Sequence, residues 1–437
     1  MCHLQDTATK RFDLVCEKRF FGKAVQMTFF VGNMVGVLLL GTFSDWFGRK
    51  MAYMTTLTLW MIFGISGYFA TNEYVWLVIR FFCGAMSLSF NTAKSVYCLE
   101  LTSGKWKSRT AHYFGELPWQ FGHLSLGFLV YAIPNMQYLE LFIGLSAIIF
   151  MPLWYFLPES PRWLASKGKL DEAKKVLVTA CKFNKKPIER VEKEIQRMAL
   201  AQKDKEKEKN GMMHDLFKTP AVRRNSIIIS FCWLAFSMGY FGLIYNTPSF
   251  DANIYLVFVV PALIGIPISI LQPYFDNRFG RKKMMTIPLV TAGVLLLITT
   301  GIPKGDAVGN WSVIVLAWIG TCCCGIAFGM GYILTLELYP TLYRTTALGM
   351  ASAGARVGSL LSPLIAMLSV VHPVLPLGVY GAIVLAAGIS SIWLWPETLH
   401  TQFTETLKEC EDLASTPNKW LICTSQKNNK VSSHIEP

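Results

Sequence analysis

The sequence predicts an all-α membrane protein built as two six-helix half-bundles with the first helix missing, so that eleven spans are present. Three observations carry this. Hydrophobic residues make up 52% of the 437 and charged residues only 16%, against about 25% charged in an ordinary soluble chain. The apolar residues fall in blocks of roughly 20, the length of helix that crosses about 30 Å of hydrocarbon. Three short motifs also recur in the same order at nearly constant spacing.

The expected spans are 24–43, 52–70, 75–99, 112–132, 137–157, 225–245, 253–274, 284–302, 311–335, 346–369 and 376–395. Several hold Gly or Pro, which membrane helices tolerate better than soluble ones. Residues 1–22 are too polar for a signal peptide and read as the remnant of an extracellular loop. The first half-bundle occupies 23–157 with five spans. A cytoplasmic linker fills 158–224, where "KLDEAKKVLVTACKF" and "IERVEKEIQRMALAQKDKEKEK" show helical spacing with mixed charge, as on solvated amphipathic helices. The second half-bundle takes 225–395 with six spans, and 396–437 is a cytoplasmic tail.

The net charge of +13 does not point to nucleic acid, because of where the charge lies. Arg49, Lys50, Lys105, Lys107, Arg109, Arg278, Arg281, Lys282, Lys283 and Arg344 all fall in alternate loops on one side. The opposite loops are short and hold almost no Lys or Arg, Lys304 excepted. Under the positive-inside rule the basic side is cytoplasmic. The N-terminus is then outside, although Lys10, Arg11, Lys18, Arg19 and Lys23 run against this; several loops outvote one tail. Of the eleven cysteines, Cys83, Cys98, Cys232 and Cys322–Cys324 sit in spans as small packing residues. Three successive positions point around a helix and do not converge on one metal. Cys2 and Cys16 fall on the outside, where disulfides form.

Phe47-Gly48-Arg49-Lys50 recurs at Phe279–Lys282, Glu100 recurs at Glu337, and Pro158-Glu159-Ser160 recurs as Pro396-Glu397-Thr398. The offsets are 280 − 48 = 232, 337 − 100 = 237 and 396 − 158 = 238, which indicates a duplicated bundle. Two spans precede the motif in the second half and one in the first. The counterpart of the span at Asn225 would start before residue 1, so the half-bundles are expected to be six plus six, with one helix absent here.

Two parallel halves around a cytoplasmic linker match the major facilitator architecture. "GTFSDWFGRK" at Gly41–Lys50 looks like that superfamily's signature. "RFDLVCEKRF", "PESPRWL" at Pro158–Leu164, "NTPSFDANIYL", "ELYPTLYRTTALG" at Glu337–Gly349 and "PETL" together resemble the organic cation, anion and carnitine transporter family, over about residues 11–410. In that family "FDLVC" closes a large extracellular loop after the first helix. The resemblance implies a set of gating residues at the inner ends of the spans: Asp45, Arg49, Lys50, Glu100, Arg109, Glu159, Arg162, Arg281, Glu337 and Arg344. In relatives such carboxylate–guanidinium pairs lock the halves on the inside. The expected pairs are Glu100–Arg109, Glu337–Arg344 and Glu159–Arg162, with Asp45 accepting from a neighbouring helix N-terminus. The alternative is independent surface ion pairs worth little. Asp276 stands one residue further from its Gly than Asp45 does, which suggests a weaker second copy.

Ionisable residues inside spans need a reason. Arg356 lies about 15 Å into its span at the helical rise, on a stripe of Gly349, Ser352, Ala353, Ser359 and Pro363, so it is expected to face the bundle interior. Anion and carnitine carriers of the resembled family tend to carry Arg here and cation carriers Asp. That implies a substrate carboxylate held bidentately; the other reading is a structural ion pair. Glu116, Trp119 and His123 share a face of the fourth span. Glu116 either binds the ammonium of a zwitterion or pairs with Lys94. His123 reads as a packing residue, and Lys94 and Arg80 as structural. Tyr240, Phe241, Phe328 and Tyr332 sit mid-span where relatives line the cavity; they hold quaternary ammonium by cation–π contact or simply pack. Gly265 stands where many relatives place a carboxylate.

No nucleophile–base set, phosphate loop, metal cluster or cofactor motif marks an enzyme. The expected function is alternating-access transport of a small organic ion across the plasma membrane: a carnitine-like zwitterion, an organic anion, or third a cation. The coupling ion is unknown. The competing reading is a non-transporting short form that associates with full-length carriers. The orientation is checked by labelling introduced cysteines in intact cells. A Cys at Asn72 reacts without permeabilisation and one at Lys207 reacts only after it; equal access at both sites contradicts the orientation.

Overall fold

A backbone N–H or C=O in hydrocarbon finds no water, so a spanning chain must satisfy its polar groups within each segment. The computed structural model of the chain meets this with helices. It describes residues 8–12, 19–102, 110, 112–188, 191–196, 213–246, 254–302, 307–339, 343–372, 374–394 and 411. Among them each of the eleven expected spans is helical and there is no strand.

The first half-bundle holds α1 (Arg19–Phe47), α2 (Arg49–Ser66), α3 (Glu73–Leu101), α4 (Leu117–Ala132) and α5 (Met136–Ser146). The second holds α6 (Pro220–Asn246), α7 (Ile254–Phe279), α8 (Arg281–Ile298), α9 (Ala307–Leu338), α10 (Arg344–Ala366) and α11 (Leu375–Leu394). Among the described residues nine helices are long and apolar enough to cross a membrane. The other two expected spans are α2, which opens on Arg49 and Lys50, and α4, which is preceded by a π-turn at His112–Glu116. The fifth span is also interrupted, running on from α5 through a 3₁₀ turn at Ala147–Phe150 to Leu153–Phe156. Pro152 begins that last piece, and it brings no backbone N–H to the turn before it.

Lipid tails are as apolar as Leu, so helices meet here by close packing rather than by a hydrophobic drive. On α1, Gly32 and Gly36 press on the α3 backbone at Phe81 and Ala85, where any Cβ would collide. On α10, Gly354 and Gly358 do the same against the Ser230 and Leu234 carbonyls of α6. The main core lies in the second half around Trp233, Phe236, Met285 and Leu289, all fully buried. Within this half Trp233 Nε1 donates to Thr335 Oγ1 at 3.1 Å, and Tyr380 donates to the Ser362 carbonyl at 2.7 Å.

The linker helix expected at "KLDEAKKVLVTACKF" is present as Leu170–Phe183, after a short helix at Pro161–Ser166. Of the following segment, 191–196 is helical, and 197–212 lies outside the described residues. So do Cys2, Cys16, Arg109, Pro396–Thr398 and the side chain of Arg344. From the tail, the Glu411 carboxylate accepts from the Ala221 and Val222 amides at 2.9 and 3.0 Å, at the start of α6. Burial pushes its pKa up, but these bonds, the Thr219 hydroxyl and Arg224 outweigh that and hold it below the ordinary carboxylate value.

Candidate functional site

The end of the bundle that carries the basic loops has the same corner in both halves. The chain leaves α1 and enters α2 through Gly48 at φ 104°, ψ 165°, and it leaves α7 and enters α8 through Gly280 at φ 95°, ψ 155°. This region is essentially closed to residues with a Cβ. The turn aims the Arg49 guanidinium at Glu100 of α3, with Nε to Oε1 at 3.0 Å, and its other arm at Asp45 at 2.7 Å. In the second half Arg281 Nε reaches Glu337 of α9 at 3.3 Å. The repeated motif therefore ties the second helix of each pair to the helix that follows it.

Of the expected pairs, Glu100–Arg109 and Glu337–Arg344 involve side chains outside the described residues, and the partners described are others. Glu159, not Asp45, takes the helix N-terminus: its Oε1 accepts from the Arg49 and Lys50 amides at 2.9 and 3.0 Å, where the helix dipole favours a negative charge. A Cβ on Gly48 would strike this carboxylate. Asp45 is instead an exposed partner of Arg49. Glu100 pairs with Arg49 and accepts from Ser160. Arg162 is exposed and makes no ion pair among the described residues. Lys50 contributes its amide. Sequence spacing favours partners in the next loop, whereas these pairs join helices that are neighbours only in space.

The contacts named between the halves lie mid-bundle and at the opposite end. Phe30 of α1 meets Phe241 of α6 at 5.1 Å between ring centroids, and Tyr131 of α4 meets Tyr255 of α7 at 5.4 Å. A Cβ on Gly127 of α4 would stand 2.6 Å from Val259 of α7. One turn and more inward, Gln120 fills the space beside Gly265, the position where relatives were expected to carry a carboxylate.

At mid-bundle a narrow cleft opens between α4 and the second half. Glu116, Gln120 and His123 face Ser269 and Gln272 of α7 and Thr321 of α9, with Tyr240 of α6 at the side. Its cavity volume is about 30 Å³. Trp119 reaches it indirectly, through a 2.7 Å hydrogen bond from Nε1 to the Tyr240 hydroxyl. His123 stacks on Tyr240 at 6.4 Å. Glu116 ends the π-turn that precedes α4, a distortion that often marks functional sites. Nothing in the sequence pattern signalled that turn, and Gln120, Ser269, Gln272 and Thr321 passed as ordinary span residues because none is charged or aromatic.

The remaining candidates divide. Phe328 packs on Trp233 and Phe236 at 5.7 and 5.0 Å, inside the core of the second half. Phe241 packs on Phe30 and Tyr240. Tyr332 packs on Trp233 at 4.7 Å and lies within electrostatic reach of both Arg356 and Glu116. Arg356 is half-buried; its Nη1 donates to the Ser352 carbonyl at 2.9 Å, and it makes no ion pair among the described residues. Lys94 lies within electrostatic reach of Glu116. Arg80 belongs to a separate corner, paired with Glu140 and stacked 5.0 Å over Trp76.

A family model described as sugar (and other) transporter matches residues 19–409. An organic cation transporter protein of Drosophila melanogaster is 30% identical over 422 residues, covering 94% of this chain and 75% of its own. Organic anion transporter 3 of Oryctolagus cuniculus is 30% identical over 410 residues, 93% and 75%. Among solved structures, a partially occluded inward-open conformation of the xylose transporter XylE from E. coli has a TM-score of 0.69 at 16% identity, covering 92% of this chain and 91% of its own; that likeness is one of fold.

The Gly48 corner is checked by thermal unfolding in detergent. Gly48→Ala costs about 1–3 kcal/mol in backbone strain alone, with displacement of Glu159 in addition. Gly168→Ala, at φ 76° with nothing within 4 Å of the new Cβ, costs less. Equal losses remove the contact with Glu159 from the explanation.

Proposed function

The chain belongs to the sugar (and other) transporter family of the major facilitator superfamily, alongside the organic cation and anion transporters, and from that premise we propose that it carries small organic ions with a carboxylate by alternating access across the plasma membrane. It is a multi-pass membrane transporter and not an enzyme. The proposed cargo is a zwitterion of the carnitine type or an organic anion, with simple organic cations third.

One observation carries the choice: Arg356. It sits half-buried among small residues on α10 with no carboxylate at ion-pair distance among the described residues, which favours the substrate reading over the structural ion pair. An unpaired guanidinium inside a membrane protein is costly, and a substrate carboxylate relieves that cost through two parallel hydrogen bonds. Tyr332 stands beside it, and Glu116 lies within electrostatic reach of the same hydroxyl. A guanidinium and a carboxylate around one aromatic suit a substrate that carries both charges.

The proposed gate uses the basic-end corners. Arg49 with Glu100 and Arg281 with Glu337 keep each half rigid, and Lys50, Glu159, Arg344 and Asp45 complete the corner as the halves rock. Arg109 and Arg162 belong to the proposed gate in its closed form.

Arg356 is tested by transport at equal surface level. Arg356→Lys keeps the charge but loses the planar fork, so affinity for carboxylates falls; Arg356→Ala costs about 2–5 kcal/mol of binding. Unchanged uptake of anions and zwitterions in Arg356→Ala removes the carboxylate site.

A further inference from the structure

The cleft beside Glu116 has a chemistry that a carboxylate site does not use. Among the described residues Glu116 is the one carboxylate on its walls and no Lys or Arg lines it, with Lys94 within electrostatic reach of Glu116 from outside the cleft. Ser269, Gln272 and Thr321 are only 3%, 4% and 5% exposed, so whatever they bind must come into the cleft. Three of the neutral groups in or beside the cleft have already committed a hydrogen. The Thr321 hydroxyl donates to the Ala317 carbonyl at 2.9 Å, which leaves its oxygen as an acceptor. Gln272 Nε2 donates one of its two hydrogens to the Ile326 carbonyl at 3.1 Å, which fixes the amide and leaves Oε1 as an acceptor. The Trp119 indole is spent on Tyr240. Gln120 and His123 bring one acceptor each beside their donors. Donors remain on the walls too, but Gln272 Oε1 and Thr321 Oγ1 are acceptors held in place close to one negative charge.

Size and ring geometry narrow the choice of cation. The cavity volume of about 30 Å³ is two to three times the roughly 10–15 Å³ that holds a single water. A terminal ammonium is of a water's size, whereas trimethylammonium adds three methyl groups. A quaternary nitrogen is usually held over open aromatic faces. Here the His123 and Tyr240 rings lie parallel, with an interplanar angle of 12° and centroids 6.4 Å apart, an arrangement that does not box a cation between several aromatic faces.

We propose that this cleft binds the protonated primary or secondary amine of the transported ion, with Glu116 meeting its charge and Gln272 Oε1 and Thr321 Oγ1 accepting its N–H bonds. The inference rests on the reading of the chain as a carrier of organic ions. It narrows the zwitterion to one whose nitrogen still carries hydrogen.

The test is equilibrium binding to the full chain in lipid nanodiscs, with three probes of one skeleton: 4-amino-3-hydroxybutanoate, its N,N,N-trimethyl derivative, and 3-hydroxybutanoate without the nitrogen. The amine binds at least tenfold tighter than the trimethyl compound. Glu116→Gln closes that gap, and Gln272→Leu and Thr321→Val, both close in size to the native residues, each narrow it, while binding of 3-hydroxybutanoate is unchanged in all three. Equal or tighter binding of the trimethyl compound overturns the proposal, as does a gap that survives in every variant. Amine binding no tighter than that of 3-hydroxybutanoate sinks the amine cleft and leaves Arg356 standing. Failure of all three probes to bind overturns both readings.

Discussion

Hydrocarbon supplies no hydrogen bonds, and most features of this molecule answer to that. Each segment that crosses must be a helix, so the sequence is written as blocks of apolar residues whose polar exceptions are few. Helices gain little by hiding apolar surface from apolar lipid, so their attraction depends on close approach. Gly32 and Gly36 against α3, and Gly354 and Gly358 against α6, allow backbones to touch. The charges that remain are confined to helix ends, where they pair, or to mid-bundle, where each needs a reason. Arg49, Glu100, Arg281 and Glu337 belong to the first kind; Arg356 and Glu116 belong to the second.

The duplicated corner shows how one short motif serves two halves. Gly48 and Gly280 turn the chain through the same backbone conformation, and Arg49 and Arg281 each reach a Glu on the next helix. The copies then diverge. Asp45 is exposed and bound to Arg49, while Asp276, one residue further from its glycine, is buried at 1% exposure. The first copy adds Glu159 on the α2 N-terminus, a bond that also fastens the start of the linker to the bundle. Ser160 on Glu100 and the Trp163 indole on the Asp45 carbonyl at 3.1 Å fasten the same stretch.

Much of this was legible in the residues. Block length gave the spans, and the echo of Phe-Gly-Arg-Lys gave the duplication, because both depend on local composition and order. The partners were harder. Glu100 was matched by nearness in sequence to Arg109, which lies outside the described residues; the partner described is Arg49 of α2, a neighbour only in space. The role given to Asp45 falls to Glu159, 110 residues away from Arg49, a distance over which spacing carries no signal. The cleft was half seen. Glu116 and Tyr240 stood out by charge and by ring, while Gln272 and Thr321 became informative only once their own hydrogen bonds showed which atoms were left to bind.

Alternating access requires the two ends of the bundle to open in turn. At the end opposite the basic loops Tyr131 and Tyr255 are in ring contact at 5.4 Å. At the basic end Leu101 closes α3 and Phe279 closes α7, both exposed. Pulsed electron-resonance distances between spin labels at residues 131 and 255, and in a second sample at 101 and 279, measure both ends with and without 4-amino-3-hydroxybutanoate. A carrier shows two populations at each end, and the ligand moves the two pairs in opposite senses. Distances that shift together, or a single population at both ends under every condition, contradict transport by rocking of the two halves.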